Sequence, residues 1–337
     1  MAKHLLIDMP LNNSFVERLR ADPLVELSIV ELSEQARSLP ARLAEQTEVL
    51  FCSSIPTNIS EMTSLRLIQI ASSDYSELCG IGLPERKIRA CNGLGNFDVP
   101  IAEWNMAMMV NLARDLRSMI KNQESGVWDR SARFQRETRG STVGIWGYGG
   151  IGRETARLAK SWGMKIFVMS RYGVGPRLNT YCVPGTGDLN GSLPDKVFVT
   201  GQEEAFLKEL DFLILSMPLT NKTRGIIGEK QLKLLPRAAF ILNPARGPLI
   251  DETALLKALR EGWISGAALD THYHYPMPSD HPLWRFPNVI MTPHISGSSS
   301  SPYFLERIWE IFTQNVKRYI SGEQLLNELT PLQLQGD

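Results

Sequence analysis

The amino-acid sequence predicts an α/β protein of two domains, each a doubly wound parallel sheet, and three observations support this. Short apolar stretches typical of buried strands alternate with helical stretches along most of the chain, as expected when helices cover a parallel sheet. The 337 residues suffice for two domains. Near the middle, a β-branched and apolar stretch runs into G-x-G-x-x-G at residues 147–152 and then into a helical pattern. In that context the glycine motif indicates a Rossmann-type dinucleotide-binding unit.

The first hundred residues follow this alternation. Strands are predicted at residues 3–9, 25–30, 49–52 and 65–71, with helices from Asn13 and over residues 41–46. Pro100 then stands near the start of a long helix, where proline is tolerated. Apolar residues at helical spacing predict one continuous helix over residues 101–121, marked by Ile101, Trp104, Met108, Leu112 and Leu116.

The glycine motif has a physical reason at each position. Gly147 allows a tight turn, Gly149 lets the backbone approach a pyrophosphate, and Gly152 lets helix and strand pack closely. The N-terminus of the next helix, with Gly150 and Ile151 in its first turn, presents N–H groups to phosphates. Charged residues fall on the side of this helix opposite its apolar residues: Arg153, Glu154, Arg157 and Lys160.

The second strand of this unit, residues 165–169, ends at Ser170 and Arg171. An NAD(H) site carries an acid near this place for the ribose 2′-hydroxyl, whereas a hydroxyl and a guanidinium suit a 2′-phosphate. We therefore expect NADP(H) as the preferred cofactor, with NAD(H) as the alternative. The structural alternative for Arg171 is a surface arginine in a loop.

Residues 172–200 have no strong periodicity, and they exceed the usual length of a connection, so we expect a functional or a mobile segment. Regular patterns then return. Strands are predicted at residues 212–215, 239–242, 267–269 and 289–291, and helices over residues 252–261 and 303–320.

Composition argues against several partners. Lys and Arg total 36 and Asp and Glu total 36, so the formal charge is zero and nothing favours nucleic acid or an anionic membrane. The N-terminus lacks a signal-peptide pattern, and no apolar stretch reaches the roughly 18 residues of a membrane helix. The four cysteines lack paired or metal-type spacing, which predicts reduced thiols in a cytoplasmic protein. His272, His274 and His281 lie within ten residues, but their spacing matches no helix pair and no cysteine joins them, so we expect no metal site.

Three polar residues follow predicted strands: Arg246, Asp270 and His294. The ligand crevice of a doubly wound sheet lies at the carboxyl ends of its strands, so we expect these residues to gather at the cofactor. The structural alternatives are a surface ion pair for Arg246 and a buried, hydrogen-bonded histidine for His294.

Over most of its length the chain resembles the D-isomer-specific 2-hydroxyacid dehydrogenases. It is most similar in pattern to the NADP-type glyoxylate/hydroxypyruvate reductases of that family. Five ordered motifs carry the resemblance: Gly147 to Gly152, Met217 to Arg224, Asn243 to Asp251, Gly266 to Asp270 and Asn288 to Gly297. The resemblance implies a flavodoxin-like substrate domain from residues 1–100 and 296–337, and a dinucleotide-binding domain over residues 101–295. It also implies a homodimer that makes contacts through the long helix at 101–121.

The resemblance implies catalytic roles for Arg246 and His294. A histidine can hold and release a proton near neutral pH, and Arg246 stays charged and can bind a carboxylate and a ketone oxygen together. Beyond the glycine motif and Ser170-Arg171, it implies cofactor contacts from Met217, Pro218, Thr223, Pro244, Ala245, Arg246, Asp270, His294, Ser296 and Gly297.

The chain departs from the family at the glutamate that pairs with the histidine. That place, before Pro276, holds Tyr275, which we therefore count with the catalytic residues, and Asp280 is a further candidate partner. A tyrosine hydroxyl can orient His294 but supplies no charge to stabilise the imidazolium. We expect reduction to decline with rising pH earlier than in a glutamate-paired relative.

The predicted substrate loop also departs from the family pattern. Asp74 stands where the family has a glycine whose turn holds the substrate carboxylate, and its charge would repel that carboxylate unless the side chain points away. Ser73 and Tyr75 can still donate hydrogen bonds, and Leu94 and Gly95 lie in a second loop expected at the same cleft. These changes favour a larger or polyhydroxylated carboxylic acid.

Together these features predict an NADP(H)-dependent 2-hydroxyacid dehydrogenase that works mainly as a 2-keto acid reductase. One alternative is a nucleotide-binding scaffold or corepressor that has lost turnover. Another keeps the hydride chemistry but oxidises an anion such as formate or phosphite.

Overall fold

The computed structural model describes residues 2–33, 36–131 and 136–335. The strands are β1 (Lys3–Asp8), β2 (Val25–Ile29), β3 (Val49–Cys52), β4 (Leu67–Ile70), β5 (Arg89–Cys91), β6 (Thr142–Trp146), β7 (Lys165–Ser170), β8 (Lys196–Val199), β9 (Phe212–Leu215), β10 (Phe240–Asn243), β11 (Gly266–Leu269) and β12 (Val289–Met291). The α-helices are α1 (Asn13–Arg20), α2 (Ala41–Gln46), α3 (Asp98–Arg114), α4 (Leu116–Glu124), α5 (Gly150–Ser161), α6 (Glu203–Leu207), α7 (Glu229–Leu234), α8 (Glu252–Glu261), α9 (Pro302–Ile320) and α10 (Pro331–Leu334).

The chain divides into two compact units. The first consists of Met1–Phe97, Leu178–Val183 and Ser299–Asp337, and the second of Asp98–Arg177 and Pro184–Ser298. The predicted division placed residues 178–183 in the dinucleotide-binding domain, but Tyr181 belongs to the first unit, where its hydroxyl donates to Glu310 at 2.6 Å. Residues 1, 34, 35, 336 and 337 of the predicted substrate domain and residues 132–135 of the predicted dinucleotide-binding domain lie outside the described residues.

The first unit is built on a five-stranded parallel sheet in the order β2-β1-β3-β4-β5. β3 and β4 are buried on both faces, which is why they appear in the sequence as continuous apolar stretches. On one face, Phe51 stacks on Phe312 of α9 with ring centroids 4.2 Å apart, and Trp309 meets it edge-on. The amphipathic helix at the C-terminal end of the chain thus covers a sheet made from the N-terminal residues.

The second unit contains a seven-stranded parallel sheet in the order β12-β11-β10-β9-β6-β7-β8. Strand order reverses between β6 and β9, so the carboxyl end of β6 is the switch point at which doubly wound sheets bind ligands. The glycine motif follows β6 directly. Two parallel-sheet α/β units confirm the predicted fold class.

The prediction of one helix over residues 101–121 was wrong. The structure has two helices, α3 and α4, separated by Asp115, whose φ of 46° lies in the left-handed region. The Asp115 carboxylate accepts a hydrogen bond from the Ser118 N–H at 3.3 Å, so it caps the second helix. Apolar spacing continues across the break, and spacing alone therefore could not locate it.

Two of the four charged residues predicted on one side of α5 are buried. Arg153 is 7% exposed and Glu154 is 1% exposed. Residues 172–177 and 184–195 cover this side of the helix, because the Gly187 N–H donates to Glu154 at 2.6 Å and Arg153 donates to the Gly175 carbonyl at 2.6 Å. The parts of the stretch without periodicity that belong to the second unit are therefore packed onto this helix, and β8 lies at the end of the stretch.

All four cysteines are free thiols. Within residues 2–33, 36–131 and 136–335, no helix combines the length and the apolar character needed to cross a membrane.

Candidate active site

The glycine turn at the end of β6 has the geometry that a dinucleotide site requires. Gly147 has φ +99°, and a Cβ on it would lie 2.3 Å from the Ser216 carbonyl oxygen. A Cβ on Gly152 would lie 2.6 Å from the Gly147 carbonyl oxygen, so a side chain there would separate helix from strand. A Cβ on Gly149 would meet nothing within 4 Å. The turn is closed where the protein packs and open at Gly149, where a phosphate would approach.

The first turn of α5 fits the phosphates of such a cofactor. Gly149 is the N-cap residue and, having no side chain, leaves the first N–H groups of Gly150 and Ile151 without a side-chain cap. These groups and the positive end of the helix dipole favour a bound anion. The residues present therefore fit the dinucleotide that the glycine motif predicts.

The residues expected at the adenosine ribose lie at the end of β7. The Ser170 hydroxyl donates to the Gly173 carbonyl, so its proton is already used within the protein. Arg171 is exposed, with its guanidinium 5.7 Å from the centre of the Tyr172 ring. Of the two residues, Arg171 is the one that has its donors at the surface.

The turns after β9 and β10 hold the next group of predicted contacts. The Thr223 hydroxyl donates to the Pro218 carbonyl at 2.8 Å, which closes the turn after Met217. Pro244 is buried directly after β10, and Ala245 packs on the core of the sheet. Both turns lie at carboxyl ends of strands, as the prediction requires.

Arg246 is positioned by a side chain that the sequence interpretation did not single out. The buried Asn243 amide donates to the Arg246 carbonyl at 2.8 Å and accepts from the Ala245 N–H at 3.1 Å. A Cβ on Gly247 would lie 2.5 Å from the His272 carbonyl carbon, so only glycine fits after the arginine. The Asn-Pro pair that starts this turn was the available sequence signal for Asn243.

His294 is held by Asp270. The Asp270 backbone oxygen accepts from the His294 N–H at 2.8 Å. Its fully buried carboxylate accepts from the N–H groups of Ile295 at 2.9 Å and Ser296 at 3.0 Å, and also from the hydroxyls of Thr292 and Ser296. Four donors on one carboxylate fix the turn, in which His294 has φ +57°. That conformation is strained for a residue with a side chain, and the surrounding hydrogen bonds hold it.

Electrostatics at His294 favour the neutral ring. Partial burial lowers the pKa of His294; the Asp270 carboxylate raises that pKa, and the charges of Arg246 and His272 lower it, with a net shift below the ordinary value. Arg246, Asp270 and His294 follow three adjacent strands, β10, β11 and β12, and their charges act on one another. The structure therefore brings these three predicted residues together in the second unit.

Tyr275 contacts His294 through its ring. The two ring centroids are 5.6 Å apart and the planes are inclined by 60°. The hydroxyl, which was expected to orient His294, instead accepts from the His272 N–H at 3.2 Å. At the position where the resemblance implies a glutamate, Tyr275 thus makes a ring contact with His294, and Asp280 is exposed.

Buried His272 and half-buried Trp104 form a support for Thr292 that the sequence interpretation missed. His272 Nε2 is 2.8 Å from the Thr292 carbonyl oxygen, and the Trp104 indole donates to the Thr292 hydroxyl at 3.2 Å. His272 Nδ1 is buried without a partner among the residues that the structure describes. Trp104 was identified only as part of an apolar helix face, and no local pattern links it to a strand end far along the chain.

The predicted substrate loop lies in the first unit. The Asp74 carboxylate accepts from the Ser76 N–H at 2.9 Å, so the side chain is directed to its own short turn. The Ser73 hydroxyl donates to the Gly93 carbonyl at 3.1 Å, and Tyr75 packs partly on the sheet core. The two loops predicted to work together are therefore joined by a direct hydrogen bond.

The second loop holds an unexpected residue. Leu94 is exposed, but Gly95 is buried, and a Cβ on it would lie 2.4 Å from the Tyr181 carbonyl oxygen, so protein covers that side. Next to it, Asn96 is 1% exposed, and both polar atoms of its amide lack a partner among the described residues. Such an amide is costly unless a ligand or water completes its hydrogen bonds.

No group of three or more metal-binding side chains occurs within the described ranges. Of the three histidines at positions 272, 274 and 281, His281 has its Nε2 2.6 Å from Glu252 Oε1.

Comparison with known proteins assigns the class. The family profile of the D-isomer specific 2-hydroxyacid dehydrogenase NAD binding domain matches residues 106–296. The chain belongs to the D-isomer-specific 2-hydroxyacid dehydrogenase family. It is an NAD(P)-dependent oxidoreductase that acts on CH–OH donors.

Individual relatives agree with this assignment. A glyoxylate reductase from Thermofilum pendens is 31% identical over 250 residues, which cover 72% of this chain and 69% of the relative. A family member from Aeromonas salmonicida has a TM-score of 0.78 at 24% identity, covering 98% of this chain and 99% of its own. Another from Xanthobacter autotrophicus, solved with NADPH and MES, has a TM-score of 0.76 at 23% identity, covering 99% and 100%. These two structures show the shared fold.

Asp270→Asn tests the role of the buried carboxylate. An amide nitrogen at either oxygen would face a backbone N–H, of Ile295 or of Ser296. We expect a loss of about 1–3 kcal/mol in the free energy of unfolding, together with a loss of turnover because His294 is no longer held. Urea unfolding and steady-state kinetics measure both. The exposed Asp280→Asn is the matched control, and equal behaviour of the two variants would contradict this role.

Tyr275→Glu tests the missing charge. The resemblance implies that His294 is the proton donor for reduction. Its pKa is lowered, so it loses its proton as pH rises through a value below the usual 6.5 or so. A carboxylate at position 275 would favour the imidazolium, so the descending limb of kcat/KM for keto acid reduction should move to higher pH. Tyr275→Gln, equally polar but uncharged, should leave the limb in place. Superimposed pH profiles for the Glu and Gln variants would contradict the expected effect of a charge at position 275 on His294.

Proposed function

We propose that this dehydrogenase works mainly as an NADP(H)-dependent reductase of a 2-keto acid, with Arg246 and His294 as catalytic residues. One observation carries the proposal: Arg246 and His294 both follow strands at the carboxyl ends of one sheet, where doubly wound sheets bind ligands, and the charge of Arg246 acts on the His294 ring. They follow β10 and β12 of the sheet that carries the glycine turn.

The chemistry divides among the side chains. A bound nicotinamide cofactor supplies the hydride. Arg246 is the planar cation that binds the carboxylate and carbonyl oxygens of the acid, and His294 donates a proton to the carbonyl oxygen. The Asp270 carboxylate stabilises the protonated form of His294, since its charge raises the pKa of the ring.

Substrate binding itself favours the direction of reduction. A carboxylate on Arg246 offsets the positive charge that lowers the pKa of His294, and it adds a negative charge nearby. His294 therefore gains its proton when the keto acid binds. In this mechanism His294 is neutral in the free enzyme and is an imidazolium in the complex with the keto acid.

The NADP(H) preference rests on the end of β7. No acid stands at Ser170 or Arg171, and the Arg171 guanidinium is exposed beside the Tyr172 ring. An arginine in this position suits a phosphate dianion, whereas the ribose hydroxyls of NAD(H) gain little from it. NAD(H) is the weaker alternative cofactor.

The substrate is a small-molecule carboxylic acid, and two features favour one with additional hydroxyl groups. Asp74 directs its carboxylate to Ser76 instead of leaving a simple glycine turn. The buried amide of Asn96 offers an unused donor and an unused acceptor, which a hydroxyl could satisfy. Ser73, Tyr75, Leu94 and Gly95 remain proposed contacts of this acid.

We further propose a cytoplasmic homodimer without nucleic-acid or membrane partners. The four free thiols suit a reducing compartment. The exposed apolar side chains of Ile120, Val127, Trp128 and Trp284 support a subunit contact on the second unit.

A coupled assay tests the proposed reaction. The purified chain should oxidise NADPH in the presence of glyoxylate, hydroxypyruvate or a longer polyhydroxylated 2-keto acid, and Arg246→Leu and His294→Asn should each abolish turnover. NADP⁺ with formate or phosphite serves as the second arm. Turnover only in that arm, or NADPH binding without turnover in either, would reject the proposed reaction.

Arg171→Ala tests the cofactor preference separately. Loss of a charge-assisted contact to the 2′-phosphate should raise KM for NADPH by about 10- to 100-fold and leave KM for NADH nearly unchanged. Lys165→Ala, an exposed cation at the opposite end of β7, is the control. Equal effects of Arg171→Ala on both cofactors would remove this basis for NADP(H) preference.

A further inference from the structure

The glycine turn is covered by two stretches of the second unit, residues 172–177 and 184–195, here called the covering loop. They are joined by the Arg177 N–H, which donates to the Leu189 carbonyl at 2.8 Å. The Tyr148 hydroxyl, in the middle of the glycine motif, donates to Asp188 at 2.8 Å. Buried Arg153 donates to the Tyr148 carbonyl at 3.1 Å and to the Asp188 carbonyl. The covering loop is therefore fixed to the motif rather than mobile above it.

The covering loop brings Arg177 to the first turn of α5. Arg177 Nη1 donates to Asp98 Oδ2 at 2.8 Å, and the two side chains are only 9% and 6% exposed. A Cβ on Gly150 would lie 1.8 Å from that carboxylate oxygen and 2.4 Å from Arg177 Nη1. The ion pair thus occupies the space that a side chain at position 150 would fill, and glycine is required there.

The guanidinium is only partly used by this contact. Its Nη1 bonds to Asp98, and no described residue accepts a hydrogen bond from its Nε or Nη2. Neither of these atoms is among the buried polar atoms that lack a partner, so they can still be reached. An arginine that served only to neutralise Asp98 would gain most from a two-pronged contact. Here Nη1 of the guanidinium is held by Asp98, and Nε and Nη2 remain available to a ligand.

The charges of Asp98 and Arg177 affect how the site would bind phosphate. The carboxylate of Asp98 beside the glycine turn would by itself repel a pyrophosphate that binds to the first N–H groups of α5. Arg177 cancels that charge and adds N–H donors that suit phosphate oxygens.

We propose that Arg177 is a phosphate-binding residue of the dinucleotide site, that it contacts the cofactor pyrophosphate, and that Asp98 is its positioning residue. The assignment rests on dinucleotide binding by this family and not on the NADP(H) preference or on the identity of the acid. It also gives the covering loop a function, since the loop delivers a cation that the glycine motif itself lacks.

Calorimetric binding to the full chain tests this assignment without turnover. ADP-ribose carries the pyrophosphate without the 2′-phosphate, and adenosine 2′-monophosphate carries the 2′-phosphate without the pyrophosphate. Arg177→Ala should weaken the binding of ADP-ribose about 10- to 100-fold and leave the affinity for adenosine 2′-monophosphate unchanged. Lys165→Ala, which removes an exposed cation at the opposite end of β7, is the control and should leave the affinity for both ligands unchanged.

Further variants guard against a simple loss of structure. Arg177→Gln keeps a donor for Asp98 but no charge, so it should fold like the wild type and still weaken ADP-ribose. Arg177→Lys, which keeps the charge, should restore part of the affinity. Wild-type affinity for ADP-ribose in both Arg177→Ala and Arg177→Gln would overturn the assignment. Failure of the wild type to bind ADP-ribose would instead overturn dinucleotide binding, and the assignment with it.

Discussion

The buried carboxylate of Asp270 is the interaction on which the site depends. It lies at the end of β11 with no exposed surface, and a charge in that position is stable only when donors surround it. Four donors do so, all from Thr292, Ile295 and Ser296. The same contacts hold His294 in a left-handed conformation, and the charge raises the pKa of its ring. One buried group therefore supplies geometry and electrostatics together, and both would be lost with it.

Much of this could be predicted from the sequence, because the relevant signals are local. Buried parallel strands appear as apolar stretches, and G-x-G-x-x-G between strand and helix identified the cofactor turn. The missed features are long-range. The break at Asp115 interrupts no apolar spacing. Arg153 has the sequence context of a solvent-exposed residue and is buried only because the covering loop lies on it. Nothing near Arg177 in the sequence points to Asp98, 79 positions away.

Electrostatics explain how a site without the glutamate of the family can work. Tyr275 packs its ring on His294 and adds no charge, while burial and Arg246 lower the pKa of the histidine. In the proposed mechanism the substrate supplies a negative charge at this site. A carboxylate bound to Arg246 would take over part of the role of the glutamate that the resemblance implies, and protonation of His294 would then be coupled to substrate binding. The buried ion pair between Asp98 and Arg177 would act in a similar way on the cofactor phosphates, as proposed above.

The coupling of His294 to the bound acid is measured most directly by NMR titration of the histidine rings. The chain has five histidines, and His294→Asn assigns the signal. The titration is run with NADP⁺ present, with and without oxamate, an unreactive keto acid analogue. Oxamate should raise the pKa of His294 in the wild type and leave it unchanged in Arg246→Leu. A His294 pKa that saturating oxamate does not move, or that rises equally without Arg246, would contradict a site in which both groups act on one substrate.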